Sequence, residues 1–86
     1  MYKLLFTKQA QKDAKKVSKS NLKPKVESIL AILKKDPFAD KPALKRLVGD
    51  LAGVYSRRIN LQHRIIYQVY EEEKVVKVIR MWTHYE

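Results

Sequence analysis

The sequence predicts an α+β fold with an N-terminal strand and a two-helix hairpin packed on one face of an antiparallel sheet. Apolar residues recur with helical spacing between residues 8 and 35, whereas β-branched and aromatic residues dominate after residue 54. The hydrophobic fraction of 45% is sufficient for a globular core. Because 86 residues leave no room for two cores, we expect residues 1–86 to form a single domain.

The first half of the chain predicts one strand followed by two helices. Residues 2–6 are aromatic and aliphatic with no breaker, and Thr7 can cap a helix that runs to about Ser18. Asn21 is the expected cap of a second helix, which ends at Asp36 because a residue before proline is pushed out of helical geometry. The apolar stripe of this second helix consists of Leu22, Val26, Ile29, Leu30 and Leu33. That stripe must be buried, and the sheet is the available surface.

The second half predicts an irregular segment and three strands. Residues 37–53 contain too many apolar side chains for a free loop, so we expect a packed loop or a short strand there. The strands are predicted at residues 54–59, 63–70 and 75–83. The connections between them are short, the second being the charged segment 71–74, so the strands should form an antiparallel meander.

The composition excludes several classes of protein. The chain has no cysteine, which excludes a disulfide framework, thiolate metal sites and a thiol nucleophile. No apolar run approaches the ~20 residues that span a bilayer, and the apolar part of the start is too short for a secretory signal. We therefore expect a cytoplasmic protein with no membrane contact. Two histidines could contribute to a metal site, but no carboxylate lies at a helpful spacing, so we expect no metal.

The charge of the chain predicts a polyanionic partner, either nucleic acid or an acidic protein. The net charge is +10, and residues 1–35 hold ten lysines and no arginine, whereas all five arginines come later. Lysine is suited to general attraction of a polyanion, whereas arginine is suited to binding one phosphate. We therefore expect the first half to steer the partner electrostatically and the second half to hold the binding site. One stripe on the first helix is either a solvated face or a ridge that binds RNA or the ribosome: Lys8, Lys12, Lys15 and Lys19.

The candidate site centres on the hairpin of residues 56–69. If its turn spans residues 60–62, Arg58 lies opposite Arg64 on one face of the sheet. Opposed like charges are destabilising unless an anion lies between them, so we predict that these arginines bind a phosphate; the alternative is a solvated face. Arg57 points to the other face by alternation, and its role is left open between structure and RNA binding.

Other residues of the hairpin are expected to be structural. Tyr55 and Tyr67 should pair across the strands as core packing on the face opposite Arg58. His63 lies at the turn, and we interpret it as a structural residue.

The chain closes with the aromatic and polar run 82–85. In a regular strand His84 and Tyr85 would lie on opposite faces, and which of them joins Arg64 depends on the strand register. An imidazole near arginines can act as a general acid at neutral pH; the alternative is an ordinary surface histidine.

Two arginines, a histidine and a tyrosine suit cleavage of RNA by its own 2′-hydroxyl. In that reaction a base removes the 2′ proton, cations stabilise the phosphorane, and an acid protonates the leaving 5′-oxygen. The reaction needs no cofactor.

Three segments, 47–59, 63–69 and 82–85, resemble Txe/YoeB-type toxins of bacterial toxin–antitoxin modules, within the RelE/ParE superfamily. The Ser-Arg-Arg-Ile block, the following His-Arg and the His-Tyr pair carry the resemblance, which extends over essentially the whole chain. It implies a RelE/ParE-like, microbial-RNase-like fold and a metal-independent mRNA interferase that cleaves messages in the ribosomal A site. It also implies an acidic cognate antitoxin, operator DNA bound only through the antitoxin complex, and frequent homodimers.

The resemblance also implies a role for individual residues. Arg58 and Arg64 match the family's phosphate-binding arginines, His84 matches its general acid, and Tyr85 matches the tyrosine that shapes the site. Lys45 falls where the family usually has a glutamate base. A lysine in this position can act as a base when nearby cations favour its neutral form, or it can mark a toxin of reduced activity.

Two other functions fit the same fold. ParE-type toxins inhibit DNA gyrase without cleaving RNA, and a basic ribosome-associated domain could bind without cutting. The paired arginines and the terminal histidine favour the nuclease over the non-cleaving alternatives. Lys45 weakens this preference, because it replaces the glutamate base of the family.

Overall fold

The computed structural model describes residues 1–39, 44–46 and 53–84, with only the backbone described at 44–46, 83 and 84. The elements follow the predicted order, and the irregular segment contains a short strand, which is one of its two predicted forms. They are β1 (Lys3–Phe6), α1 (Lys8–Ser18), α2 (Lys23–Lys35), β2 (Leu44–Arg46), β3 (Val54–Arg58), β4 (His63–Tyr70) and β5 (Val75–His84). None of the helices in these ranges is long and apolar enough to cross a membrane.

The sheet has five strands in the order β1-β5-β4-β3-β2. The predicted antiparallel meander of β3, β4 and β5 is confirmed, and β2 adds to its outer edge in antiparallel orientation. The expectation of a wholly antiparallel sheet is corrected at the other edge, where Lys3–Phe6 runs parallel to Val75–Val78. No hairpin ties β1 to a neighbour, so its direction is set by long-range packing that local sequence patterns do not encode.

Thr7 fixes the start of α1 and its position on the sheet. Its hydroxyl oxygen accepts a hydrogen bond from the Ala10 amide at 3.0 Å, so the predicted cap is confirmed. The same hydroxyl donates to the Ile79 carbonyl of β5 at 2.9 Å. One side chain therefore both begins the helix and attaches it to the last strand.

The predicted cap of α2 is wrong. Asn21 lies in a turn, and the cap position is occupied by Leu22, which has helical backbone angles and no side-chain hydrogen bond. The Ser20 hydroxyl instead accepts from the Leu22 amide at 3.1 Å. Pro24 at the helix start has no amide hydrogen, so this helix needs less capping than usual.

The helices cover one face of the sheet and enclose a cluster of buried side chains. Helical members of the cluster are Ala10, Val17, Val26, Ile29 and Leu33. Strand members are Tyr55, Ile59, Ile65, Tyr67, Val76, Val78 and Met81. The Tyr55 and Tyr67 rings stack with centroids 5.9 Å apart, which confirms the predicted core pair.

Arg57 lies inside this core with 0% of its surface exposed. Its Nε donates to the Tyr67 hydroxyl at 3.0 Å and its Nη2 donates to the Pro37 carbonyl at 2.9 Å. The Tyr67 hydroxyl donates to the same carbonyl at 2.7 Å. This buried network anchors the chain after α2 to β3 and β4. Of the two roles left open for Arg57, its burial therefore favours the structural one over RNA binding.

The Tyr67 hydroxyl is the central group of that network. Burial raises the pKa of this hydroxyl, and the neighbouring Arg57 charge lowers it by less, so the group remains a neutral donor.

We expect Tyr67→Phe to lower the free energy of unfolding by about 1–3 kcal/mol, because it deprives a buried cation of an acceptor and a buried carbonyl of a donor. Chemical denaturation monitored by circular dichroism measures the difference. Tyr70→Phe is the matched control, because its hydroxyl bonds Gln68 at the exposed end of β4. Equal stability losses in the two variants would contradict the assignment.

Candidate functional site

The hairpin of β3 and β4 places two arginines opposite each other. The backbone register pairs Arg58 with Arg64, as the predicted three-residue turn requires. The Ile59 amide closes the turn by donating to the His63 carbonyl at 2.9 Å. The two arginines therefore occupy neighbouring strands at the same end of the sheet.

The two guanidinium groups differ in how firmly they are held. Arg64 is 8% exposed, and its Nη1 donates to the hydroxyl of buried Ser56 at 3.2 Å. Arg58 is exposed. A phosphate bound between them would convert a repulsive pair into charge-assisted hydrogen bonds, with Arg64 as the fixed half and Arg58 as the adjustable half.

His63 is held by an aromatic neighbour. Its ring is 6% exposed and stacks on Trp82 of β5, with ring centroids 4.2 Å apart and planes 26° apart. This packing agrees with the structural interpretation of His63. It also fixes the end of β5 against the start of β4.

The end of β5 runs beside the arginine pair. The backbone register pairs Thr83 with Arg64 and His84 with His63, so Arg58, Arg64 and Thr83 form one row across three strands. The backbone of His84 thus lies one residue away from that row. The His84 side chain and all of Tyr85 lie outside the described residues, and their predicted roles stay predictions.

Lys45 lies in the sheet two rows away from the arginine pair. Its backbone pairs with Ser56, which in turn pairs with Ile66. Ser56 is the residue that holds Arg64, so the backbone of Lys45 is adjacent to the arginine site. Its side chain lies outside the described residues, and its role as a base stays a prediction.

Two irregularities in β5 determine which residues meet the arginines. Tyr67 pairs with Val78, and Arg64 pairs with Thr83. The two pairs are three residues apart on β4 but five residues apart on β5. Two extra residues are thus accommodated in β5 as bulges. Buried residues of a regular strand are two residues apart, whereas the buried Val78 and Met81 are three apart. This irregular spacing is the sign of the bulges in the sequence.

Asp13, which sequence reasoning missed, lies at these bulges with 0% of its surface exposed. Its Oδ2 accepts from Arg80 Nε at 2.9 Å, from the Met81 amide at 3.0 Å and from the Trp82 amide at 3.3 Å. Its Oδ1 accepts from Gln9 Nε2 at 3.0 Å. A carboxylate within the apolar stripe of α1 is the signal that could have identified it.

The carboxylate of Asp13 is charged despite its burial. Burial alone would raise the pKa of Asp13, but hydrogen bonds from Arg80, Met81 and Gln9, with the Arg80 charge, together lower it below its usual value.

The lysine stripe of α1 is solvent-exposed. Lys8, Lys12, Lys15 and Lys19 all lie on the accessible surface of the helix. Their exposure is compatible with either a solvated face or a nucleic-acid contact, and RNA binding by these lysines stays a prediction.

The fold of this small basic chain is that of YoeB/ParE-type toxins. The YoeB/ParE toxin from Agrobacterium tumefaciens has a TM-score of 0.87 and 30% identity, covering 96% of this chain and 99% of that one. A chain of the YoeB–YefM complex from Staphylococcus aureus has a TM-score of 0.81 and 27% identity, covering 99% of both chains.

The family follows from a match along the sequence. A family model described as the YoeB-like toxin of bacterial type II toxin–antitoxin systems matches residues 6–85. The Toxin YoeB of Streptomyces coelicolor is 33% identical over 52 residues, which are 60% of this chain and 62% of that toxin. The chain belongs to the YoeB-like toxins of bacterial type II toxin–antitoxin systems, and the resemblance found in the sequence is confirmed.

The pKa of Asp13 predicts an acid-sensitive fold. Because the pKa is lower in the folded than in the unfolded chain, the stabilisation is complete above about pH 5 and is lost as the pH falls through the folded value, below 3.8. Urea denaturation from pH 7 to pH 2 should therefore show a steeper acid decline for wild type than for Asp13→Asn.

The control for this measurement is Glu27→Gln, which removes an exposed carboxylate of α2. Its acid decline should follow that of wild type. Parallel curves for wild type and Asp13→Asn would show that the carboxylate is not stabilised by folding.

Proposed function

We propose that this toxin is a ribosome-dependent endoribonuclease that cleaves mRNA in the A site by attack of the 2′-hydroxyl, without a metal ion. The supporting observation is the cross-strand pair of Arg58 and Arg64, beside which the backbone of His84 lies. A pair of arginines at one end of a sheet is suited to a single phosphate group. In-line cleavage by the 2′-hydroxyl places its developing negative charge on that phosphate.

Each residue has a distinct task in this mechanism. Arg64, held by Ser56, fixes the scissile phosphate, and Arg58 closes on it and stabilises the phosphorane. His84 protonates the leaving 5′-oxygen as general acid. Tyr85 shapes the site around the nucleotide, and Lys45 occupies the position of the base that accepts the 2′ proton.

The ribosome supplies the orientation that two arginines cannot give to a flexible strand. The net charge of +10 draws the toxin towards ribosomal RNA in the cytoplasm. The exposed lysines of α1 form the contact surface for that RNA: Lys8, Lys12, Lys15 and Lys19. Such contacts position the site over the A-site message.

The partner that restrains this activity is an acidic cognate antitoxin. One similar Staphylococcus aureus chain is, by its title, part of a YoeB–YefM complex. A basic domain of this charge is complementary to an acidic segment that wraps it. Operator DNA is bound through that toxin–antitoxin complex.

A non-cleaving toxin is the second candidate, and Lys45 is the observation that favours it. Where the family resemblance expects a carboxylate base, this chain has a cation. A toxin without a base could inhibit DNA gyrase or occupy the ribosome without cutting.

Toeprinting of a translated message separates the candidates. Wild type should produce new stops at A-site codons, and His84→Ala should reduce the cleavage rate about 10²–10⁴-fold, because the leaving oxygen loses its acid. Arg58→Ala should reduce it about 10²–10³-fold, because the phosphorane loses a cation.

The matched control is Lys25→Ala, which removes one exposed positive charge from α2 and should leave the stops unchanged. Inhibited DNA supercoiling with an intact message would support the gyrase function instead. Ribosome binding without cleavage or gyrase inhibition would leave a toxin that only occupies the ribosome.

Replacement of Lys45 tests the missing carboxylate. We expect Lys45→Glu to raise the cleavage rate by about 10-fold or more, because a glutamate accepts the 2′ proton directly. Lys45→Ala is the control, since it removes the lysine without supplying a base. Unchanged or lower cleavage in Lys45→Glu, with a loss in Lys45→Ala, would show that lysine already serves as the base.

A further inference from the structure

We propose that Asp13 is a positioning residue, whose carboxylate holds the bulges of β5 and thereby sets Thr83 and His84 beside Arg64 and His63. This inference rests on the proposed nuclease function, in which His84 is the general acid. It states that Asp13, a residue of the first helix, determines where the backbone of His84 lies. Asp13 does not touch the reacting atoms; it acts through the backbone of β5.

The strand register shows what the bulges accomplish. From the pair Tyr67–Val78, a regular ladder would bring Met81 opposite Arg64. It would carry His84 past the end of β4, level with Leu61 in the turn. The two extra residues draw the end of β5 back, so that Thr83 meets Arg64 and His84 meets His63. The row of Arg58, Arg64 and Thr83 depends on this shift.

The bulges need an acceptor because they disrupt the ladder locally. A bulge leaves backbone amides without cross-strand partners, and a buried amide without a partner costs free energy. Asp13 Oδ2 accepts from the amides of both Met81 and Trp82, at 3.0 and 3.3 Å. Met81 is 2% exposed, so water is a poor substitute for the carboxylate at this position.

Two neighbours orient the carboxylate for this purpose, and a third residue attaches the helix that carries it. Gln9, one turn earlier on α1, donates to Oδ1 at 3.0 Å, and Arg80 donates to Oδ2 at 2.9 Å. Thr7 attaches the start of the same helix to the Ile79 carbonyl at 2.9 Å. The helix and the bulged segment are therefore fixed to each other at consecutive residues of β5.

Asp13→Ala tests the inference in two independent ways. Nuclear Overhauser contacts between the backbones of Arg64 and Thr83 should be present in wild type and lost in the variant, whereas those between Tyr67 and Val78 remain. The rate constant for cleavage of ribosome-bound message should fall about 100-fold, as expected for a displaced catalytic group. Ribosome affinity should change by no more than about twofold, because the arginines and lysines stay in place.

Two further variants separate positioning from general stability. Asp13→Asn retains an oxygen that can accept from both amides, so it should recover most of the cleavage rate. Its weaker hydrogen bonds should accelerate hydrogen exchange at Met81 and Trp82 but not at Val76. This measurement also decides the matter if Asp13→Ala does not fold. Glu27→Gln, which removes an exposed carboxylate from α2, should match wild type throughout.

The outcomes are distinguishable. Intact Arg64–Thr83 contacts in Asp13→Ala, or unchanged exchange in Asp13→Asn, would overturn the inference. A lost register with an unchanged cleavage rate would overturn it as well. If wild type itself does not cleave, the proposed function fails and the catalytic part of the inference fails with it, while the backbone contacts still show whether Asp13 sets the register.

Discussion

The carboxylate of Asp13 joins the first helix to the last strand, and the geometry of the site follows from that junction. A buried carboxylate is costly unless several donors surround it, and here four donors do so. Those donors include two backbone amides that β5 exposes where its pairing with β4 is irregular. The same contact therefore satisfies both the buried carboxylate of the helix and the free amides of the bulged strand.

Two consecutive arginines of β3 are divided between the core and the surface by the alternation of that strand. Arg57 is buried under the helices and hydrogen-bonded to Tyr67 and Pro37, whereas the adjacent Arg58 is exposed on the other face. Consecutive residues of the same type thus carry unrelated tasks. Under the proposed function, a substitution of either arginine would lower activity, but for Arg57 the cause would be loss of the core network rather than loss of a phosphate contact.

The sequence was sufficient for two parts of the fold that depend on local chemistry, although it misplaced the cap of α2. The three-residue turn determined the pairing of Arg58 with Arg64, and helical spacing identified the buried face of α2. The parallel position of β1 and the bulges held by Asp13 depend on residues more than sixty positions apart, which no local pattern specifies. For the same reason the register at His84 could not be derived from the sequence. The three-residue spacing of the buried Val78 and Met81 was the only local sign of the bulges among the described residues.

The parallel pairing of β1 with β5 has a consequence for the newly made chain. The first strand acquires its neighbour only when the last strand has been synthesised, since Lys3 pairs with Val75. Until then α1 and α2 have no complete sheet on which to bury their apolar residues. The basic helices are therefore synthesised first, and the strand that completes the proposed catalytic site is synthesised last. A nascent toxin thus exposes positive charge well before that site is complete.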